Sequence, residues 1–279
     1  MRGAWANAVL VARVTIADVA RQKSFIAIVI AGVVILLMMR GCWDMNMVVN
    51  GQRVGGSALS TPLLKAVFTA IGAGAMFIAG LLSMRAFRRD REEGTLAFIL
   101  SKPVARSHYL VGKMGGLWLL MTALMSLLHG VVFLIHYHHT GSLGAGCIAA
   151  MALTSLNVLF MVLAVALLGL WLPEIFAFLV ACGVVGGAFI FDALARAARS
   201  EVVQSMWAQT SIQDETAWWK IVYVVWPKSG ALQYGAASLL DGLALPPSGD
   251  LILPLVSIAG YCLALWLLIL LRFGREEIG

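Results

Sequence analysis

The run AVFTAIGAGAMFIAGLLSM at residues 66–84 passes directly into RAFRRDREEGTLAFILSKPVARSHYLVGK at 85–113, and that into MGGLWLLMTALMSLLHGVVFLI at 114–135. A helix rises about 1.5 Å per residue, so about 20 apolar residues cross the roughly 30 Å of hydrocarbon in a bilayer. The two outer runs carry no Lys, Arg, Asp or Glu and have that length, whereas the middle run is dense in charge and belongs in water. The stretch therefore reads as two membrane helices joined by a charged loop.

The same criterion applied outward finds four more spans, at 24–39, 144–171, 175–191 and 251–271, with the fifth bounded by Glu174 and Asp192. Composition agrees with six spans. Of 279 residues, 61% are hydrophobic and 12% charged, and the mean hydropathy is +0.91, which excludes a water-soluble enzyme. The net charge of +6 on so apolar a chain points to anionic lipid headgroups rather than nucleic acid. Cys42, Cys147, Cys182 and Cys262 form no C-x-x-C pair and read as small packing residues. The expected fold is an all-α membrane protein forming one transmembrane domain over 1–279.

An even number of spans places both termini on one side. With the termini inside, 13 Lys and Arg lie inside and 7 outside. The contrast is sharpest where Arg85, Arg88, Arg89 and Arg91 crowd the end of the second span, while the loop at 137–143 has none. The positive-inside rule then places both termini in the cytoplasm. Before the first span, Trp5, Val9, Ala12, Ile16 and Ala20 recur at helical steps, so residues 1–23 read as an interfacial amphipathic helix. Small residues at Ala66, Ala70 and Gly74, and at Gly183 and Gly187, suit close helix packing within the chain.

The loop at 85–113 has an order that a merely solvated loop does not need. After the basic cluster come Asp90, Glu92 and Glu93, then an apolar ridge of Leu96, Phe98, Ile99 and Leu100, then Pro103 as a helix stop, then Arg106 and Lys113. An apolar ridge flanked by charge suits docking of a helix into a partner's groove. Gly94 permits close approach, and Glu92 with Glu93 can cap the helix or pair with a basic partner. No G-x-x-x-x-G-K-[S/T] occurs, and Gly112-Lys113 is followed by Met114, so the chain has no phosphate loop of its own.

Glu92, Glu93, Gly94, Thr95, Leu96, Leu100, Ser101, Pro103, Arg106, Gly112 and Lys113 together resemble the coupling loop of permease subunits of ATP-binding-cassette transporters of the second exporter type. Within that family the loop is most similar to the branch containing the copper-site maturation permease of nitrous oxide reductase. The resemblance implies a prokaryotic inner-membrane permease with no catalytic residues or cofactor of its own. ATP and Mg would be held by a separate ATPase subunit, in two copies, acting on two copies of this permease or on this chain and a close relative. A permease that moves no solute and acts mechanically on an outer-side partner is the alternative within the same assembly.

Residues 192–250 form a long outer segment rich in Trp207, Trp218, Trp219, Tyr223 and Trp226, followed by Pro227. Aromatic residues with a polar edge favour the headgroup level, and in the resembled exporters this position holds helices that dip into the bilayer as an outer gate. The run 217–226 suits that role, and a surface helix anchored at the interface suits it nearly as well. His129 sits inside the third span and His136, His138 and His139 at its outer end. Imidazoles can hold metal or haem, and a respiratory subunit using His129, His136 and His139 is the reading from a different class. Without Cys or acidic partners nearby, the cluster at 136–139 is better read as a solvated helix end with no metal.

Overall fold

The computed structural model describes residues 2–44, 47–49, 52–54, 56–92, 106–199, 224–241 and 249–275. Eight α-helices carry the described fold: α1 (Arg2–Ala20), α2 (Lys23–Met38), α3 (Gly56–Glu92), α4 (Arg106–Thr140), α5 (Cys147–Leu168), α6 (Glu174–Arg199), α7 (Ser229–Ser238) and α8 (Gly249–Arg275). Six of them, α2 to α6 and α8, are long and apolar enough to cross a membrane. The protein is an all-α membrane protein. Among the described residues the only strands form a short antiparallel hairpin, Met47–Val49 with Gln52–Val54, between α2 and α3.

Helix lengths exceed what the bilayer needs. The 37 residues of α3 and the 35 of α4 make rods of about 55 and 52 Å, well beyond about 30 Å of hydrocarbon. α3 continues through the basic cluster to Glu92, and α4 begins at Arg106. Both rods therefore project from the bilayer on the side of the charged loop. α5 is Cys147–Leu168, shorter than the run 144–171, because Gly146 and Gly169 stand just outside its ends. α6 passes Asp192 without a break and ends at Arg199; the carboxylate is 2% exposed and faces protein, so its charge does not stop the helix.

α5 is the buried centre of the bundle, with Val158 and Phe160 through Leu167 all enclosed. Around it pack Met76 and Ala79 of α3, Met121 and Met125 of α4, Phe178 and Ala181 of α6, and Ile258 of α8. Gly80 is the close-approach point between α3, α5 and α6. A Cβ there would lie 2.5 Å from Met161 Cε and 2.9 Å from Phe178 Cε2. By contrast α2, α6 and α8 turn long apolar faces outward, including Ile30, Phe176, Leu179 and Leu263, as lipid-facing helices do.

α1 packs along the first turns of α4 through a face other than the expected one. A Cβ on Gly112 would fall 2.5 Å from the Ala8 carbonyl, and one on Gly116 would fall 2.9 Å from that of Ala12. The two helices run in the same direction here, with glycines four residues apart admitting backbone contact. Ala8, Thr15 and Val19 are buried, while Val9, Leu10 and Val14 point away from the protein. Val9 thus leaves the expected stripe, and Gly112, expected only as part of the loop's Gly-Lys pair, becomes a packing residue.

Candidate functional site

Two regions hold residues singled out from the sequence. At the charged end, Glu92 is the last residue of α3 and Arg106 the first of α4. Glu93, Gly94, Thr95, Leu96, Phe98, Ile99, Leu100, Ser101 and Pro103 lie outside the described residues. What is described is their mounting: two long rods 13 residues apart in sequence, with α1 clamped on the second. Lys113 is buried, its Nζ 5.8 Å from the Tyr109 ring centroid, and Tyr109 is buried beside it at the root of α4.

At the other end, Trp218, Trp219 and Tyr223 lie outside the described residues, whereas Trp226 and Pro227 are placed. Trp226 donates its indole N–H to the Val184 carbonyl at 2.9 Å and rests on Gly187, where a Cβ would approach the ring to 3.1 Å. Of the two glycines expected to pack on α6, Gly187 does so, and Gly183 opens on empty space. Pro227 turns the chain, and α7 follows. Ser229, Gln233 and Leu232 of α7 have no exposed surface.

The level of α7 follows from its neighbours. Gln233 faces Gly72 and Asn157, which stand at the midpoints of their spans, Ser60–Arg85 and Cys147–Leu168. Asp241, just after α7, pairs with Lys65 in the N-terminal part of α3, N to O 2.5 Å. Level with the midpoints of those spans, 224–241 re-enters the helix bundle, and α7 runs from there toward the N-terminal part of α3. The buried short helix is Ser229–Ser238; of the aromatic run 217–226, residues 217–223 lie outside the described residues.

A backbone inside hydrocarbon must have its polar groups met by protein, and this segment's partners are specific. The Ala231 N–H, in the first turn of α7, donates to Asp192 Oδ2 at 2.6 Å. A carboxylate from α6 thus caps α7 and sits at the positive end of its dipole. Gly230 makes room for it, because a Cβ there would come 2.7 Å from Asp192 Oδ2 and 2.9 Å from Phe189 Cα. Asn157 Nδ2 donates to the Ser229 carbonyl at 3.0 Å and lies 3.5 Å from Gln233 Oε1. Tyr261 of α8 donates its hydroxyl to the Val225 carbonyl. Midway along α7, Tyr234 carries the Arg196 guanidinium 3.2 Å from its ring centroid.

Against α3 the fit is tightest. A Cβ on Gly72 would fall 2.4 Å from Gln233 Nε2 and 2.9 Å from Thr154 Cγ2. Thr154 returns its hydroxyl to the Ala150 carbonyl, 3.0 Å away in its own helix. Asn157, Gln233 and Ser229 each keep one buried polar atom without a hydrogen bond, Oδ1, Nε2 and Oγ respectively. Such an amide and hydroxyl cluster in the middle of a membrane bundle marks a functional position more often than a packing one.

The histidines do not converge. His129 is fully buried and stacks on Phe68 with ring centroids 4.2 Å apart, its Nε2 donating to the Phe68 carbonyl at 3.2 Å. With one nitrogen bonded and one face covered by a phenyl ring, it is packed as a structural residue. His136 is also buried, so it is not part of a solvated helix end. His138 is exposed and lies 5.5 Å, ring to ring, from His139, whose Nδ1 meets the Ile135 carbonyl at 2.8 Å. Among the described residues no three His, Cys, Asp or Glu side chains come together as metal ligands.

Six spans, two long rods flanking a charged loop and a short helix re-entering the bundle define a multi-pass membrane protein. The family described as ABC-2 family transporter protein matches residues 9–278, and the chain belongs to that family. It is a permease subunit of an ABC transporter, of a family that generally works with an ABC ATPase subunit. A search of curated proteins gives no match.

Proposed function

We infer that this chain is the membrane-spanning half of an ATP-driven exporter in a prokaryotic inner membrane, with both termini cytoplasmic. Its substrate crosses in a cavity at the interface of two permease copies, homologous or identical. Two ATPase subunits hold ATP and Mg and supply all of the hydrolysis; the absence of a phosphate loop in the sequence supports that division of labour. They dock on the ridge of Leu96, Phe98, Ile99 and Leu100, with Glu92, Glu93 and Arg106 at its charged margins. Kinship to the copper-site maturation branch rests on the residues of that loop.

The observation that carries the export reading is the re-entrant helix. The segment is seated by Asp192, Asn157 and Gly72 and pinned at its far end by Lys65, contacts that support the reading in which it closes the outer half of a cavity. Hydrogen bonds and one ion pair fix its register, each contributing about 1 kcal/mol, while Leu232, Ala236, Ala237, Leu239 and Leu240 bury it against the bundle, so the segment moves only as the helices around it repack. ATP-driven movement of the bundle shifts that packing and opens the cavity outward. The test is a cysteine at Ser238 in a cysteine-free chain, labelled from outside with an impermeant maleimide. Labelling should change between nucleotide-free and vanadate-trapped complex, and an unchanged rate refutes the gate.

A further inference from the structure

α4 is an unbroken helix from Arg106, where the charged loop ends, to Thr140. His129 lies about 35 Å along it from Arg106, at 1.5 Å per residue. There it leaves α4's own surface and bonds α3, its Nε2 donating to the Phe68 carbonyl while the ring stacks on the Phe68 ring. In an α-helix that carbonyl is also the acceptor for the N–H of the residue four positions on, which in α3 is Gly72. At Gly72 the next contact begins, because Gln233 of the re-entrant helix presses its amide into the space a side chain would fill. His129 and Gln233 thus grip the two ends of one helical turn of α3, and both are fully buried.

We propose that His129, the Phe68–Gly72 turn and Gln233 form the route by which a displacement of α4 at the charged loop reaches the outer gate, with His129 as the positioning residue and Gly72 as the seat. The proposal rests on the gate reading above. A buried imidazole bonded to a helical carbonyl cannot slide along that helix without breaking the bond, so α4 carries the turn with it. The glycine seat is closed by the Gln233 amide and the Thr154 methyl, so a shift of the turn by a few tenths of an ångström either clashes with the Gln233 amide or releases it. Asn157 holds the far side of the same amide, 3.5 Å from Gln233 Oε1, and fixes the direction in which Gln233 can yield. The unpartnered Gln233 Nε2 and Asn157 Oδ1 leave the seated arrangement short of its full hydrogen bonding, which keeps the unseated one within reach.

The test uses the complete complex in proteoliposomes, with Ser238→Cys as the reporter in a cysteine-free permease and co-purification as the check of assembly. In the parent complex the maleimide labelling rate of Cys at 238 differs between nucleotide-free and vanadate-trapped states. His129→Phe keeps the stacking ring and removes the donor, and should shrink that difference by about three- to tenfold, the factor carried by one net hydrogen bond. His129→Gln restores a donor and should recover part of it. Gly72→Ala should hold labelling at one rate whatever the nucleotide. If the parent complex shows no difference, the gate reading itself fails. If the parent responds and His129→Phe and Gly72→Ala respond as it does, the route is wrong while the gate stands. Should His129→Phe not accumulate, Gly72→Ala and Gln233→Leu decide the matter, and a parental response in both overturns the route.

Discussion

Asp192 offers the most direct perturbation of the re-entrant helix. It is 2% exposed, and its Oδ2 accepts the Ala231 N–H at 2.6 Å in the first turn of α7. A hydrogen bond to a charged group contributes about 1.5–3 kcal/mol, and a carboxylate at a partly buried helix N-terminus adds about 0.3–2 kcal/mol. Asp192→Ala should therefore cost about 2–4 kcal/mol, because it removes acceptor and charge together. Asp192→Asn keeps an acceptor oxygen and nearly the same volume, and should cost about half as much. At roughly 2–4 °C per kcal/mol for a protein of this size, the expected falls in Tm are about 4–16 °C and 2–8 °C. A thiol-reactive fluorogenic dye reads this in detergent, since Cys262 is 8% exposed and reacts on unfolding. Gly230→Ala serves as an independent check on the same contact. If both Asp192 variants melt within about 1 °C of the parent, the carboxylate does not cap α7 and the seating argument fails.

Gly230→Ala should destabilise by at least about 2 kcal/mol, because its Cβ meets backbone at Phe189 that cannot swing aside, whereas Gly74→Ala, with nothing within 4 Å, should be neutral or stabilise by helix propensity; thermal unfolding of the pair reads the difference. Lys65 and Asp241 have side chains 35% and 25% exposed, so a double-mutant cycle should give a coupling of about 1 kcal/mol or less, falling with salt. His138→Gln, at an exposed position, should shift stability by no more than about 0.5 kcal/mol and leave elemental content unchanged. A reporter fused after Gly279 should be cytoplasmic and Gln213→Cys should label from outside, as the 13-to-7 charge distribution requires.

The spans were legible because hydrocarbon thickness imposes a length and a composition that a sequence displays directly. The re-entrant helix was not. Its ten residues, SGALQYGAAS, are too short and too mixed to resemble a span, and their burial comes from the helices around them. Trp226 did announce the segment, since an aromatic residue with a polar edge suits the return into the bilayer, but the helix begins three residues later. Asn157 was visible as a lone amide inside the fourth span and escaped notice because that span was recognised by its lack of formal charge alone. In the sequence Asp192 marks the end of the fifth span, since an isolated carboxylate in hydrocarbon is costly, and the fold supplies the helix N-terminus that accommodates it. Gly112 and Gly116 show the same limit, as their spacing is plain but its partner, α1, is a hundred residues away.

ATP hydrolysis by reconstituted assemblies tests the central claim, that this permease is driven by a separate ATPase docked on the ridge between α3 and α4. The isolated chain should hydrolyse no ATP. Its complex with the ATPase subunit should hydrolyse ATP and couple hydrolysis to labelling of Cys at 238. Leu96→Asp or Phe98→Asp should dissociate the ATPase or uncouple it, since a carboxylate buried without a partner in an apolar contact costs several kcal/mol. Hydrolysis by the isolated chain, or a stable and fully coupled complex carrying both substitutions, would contradict the account.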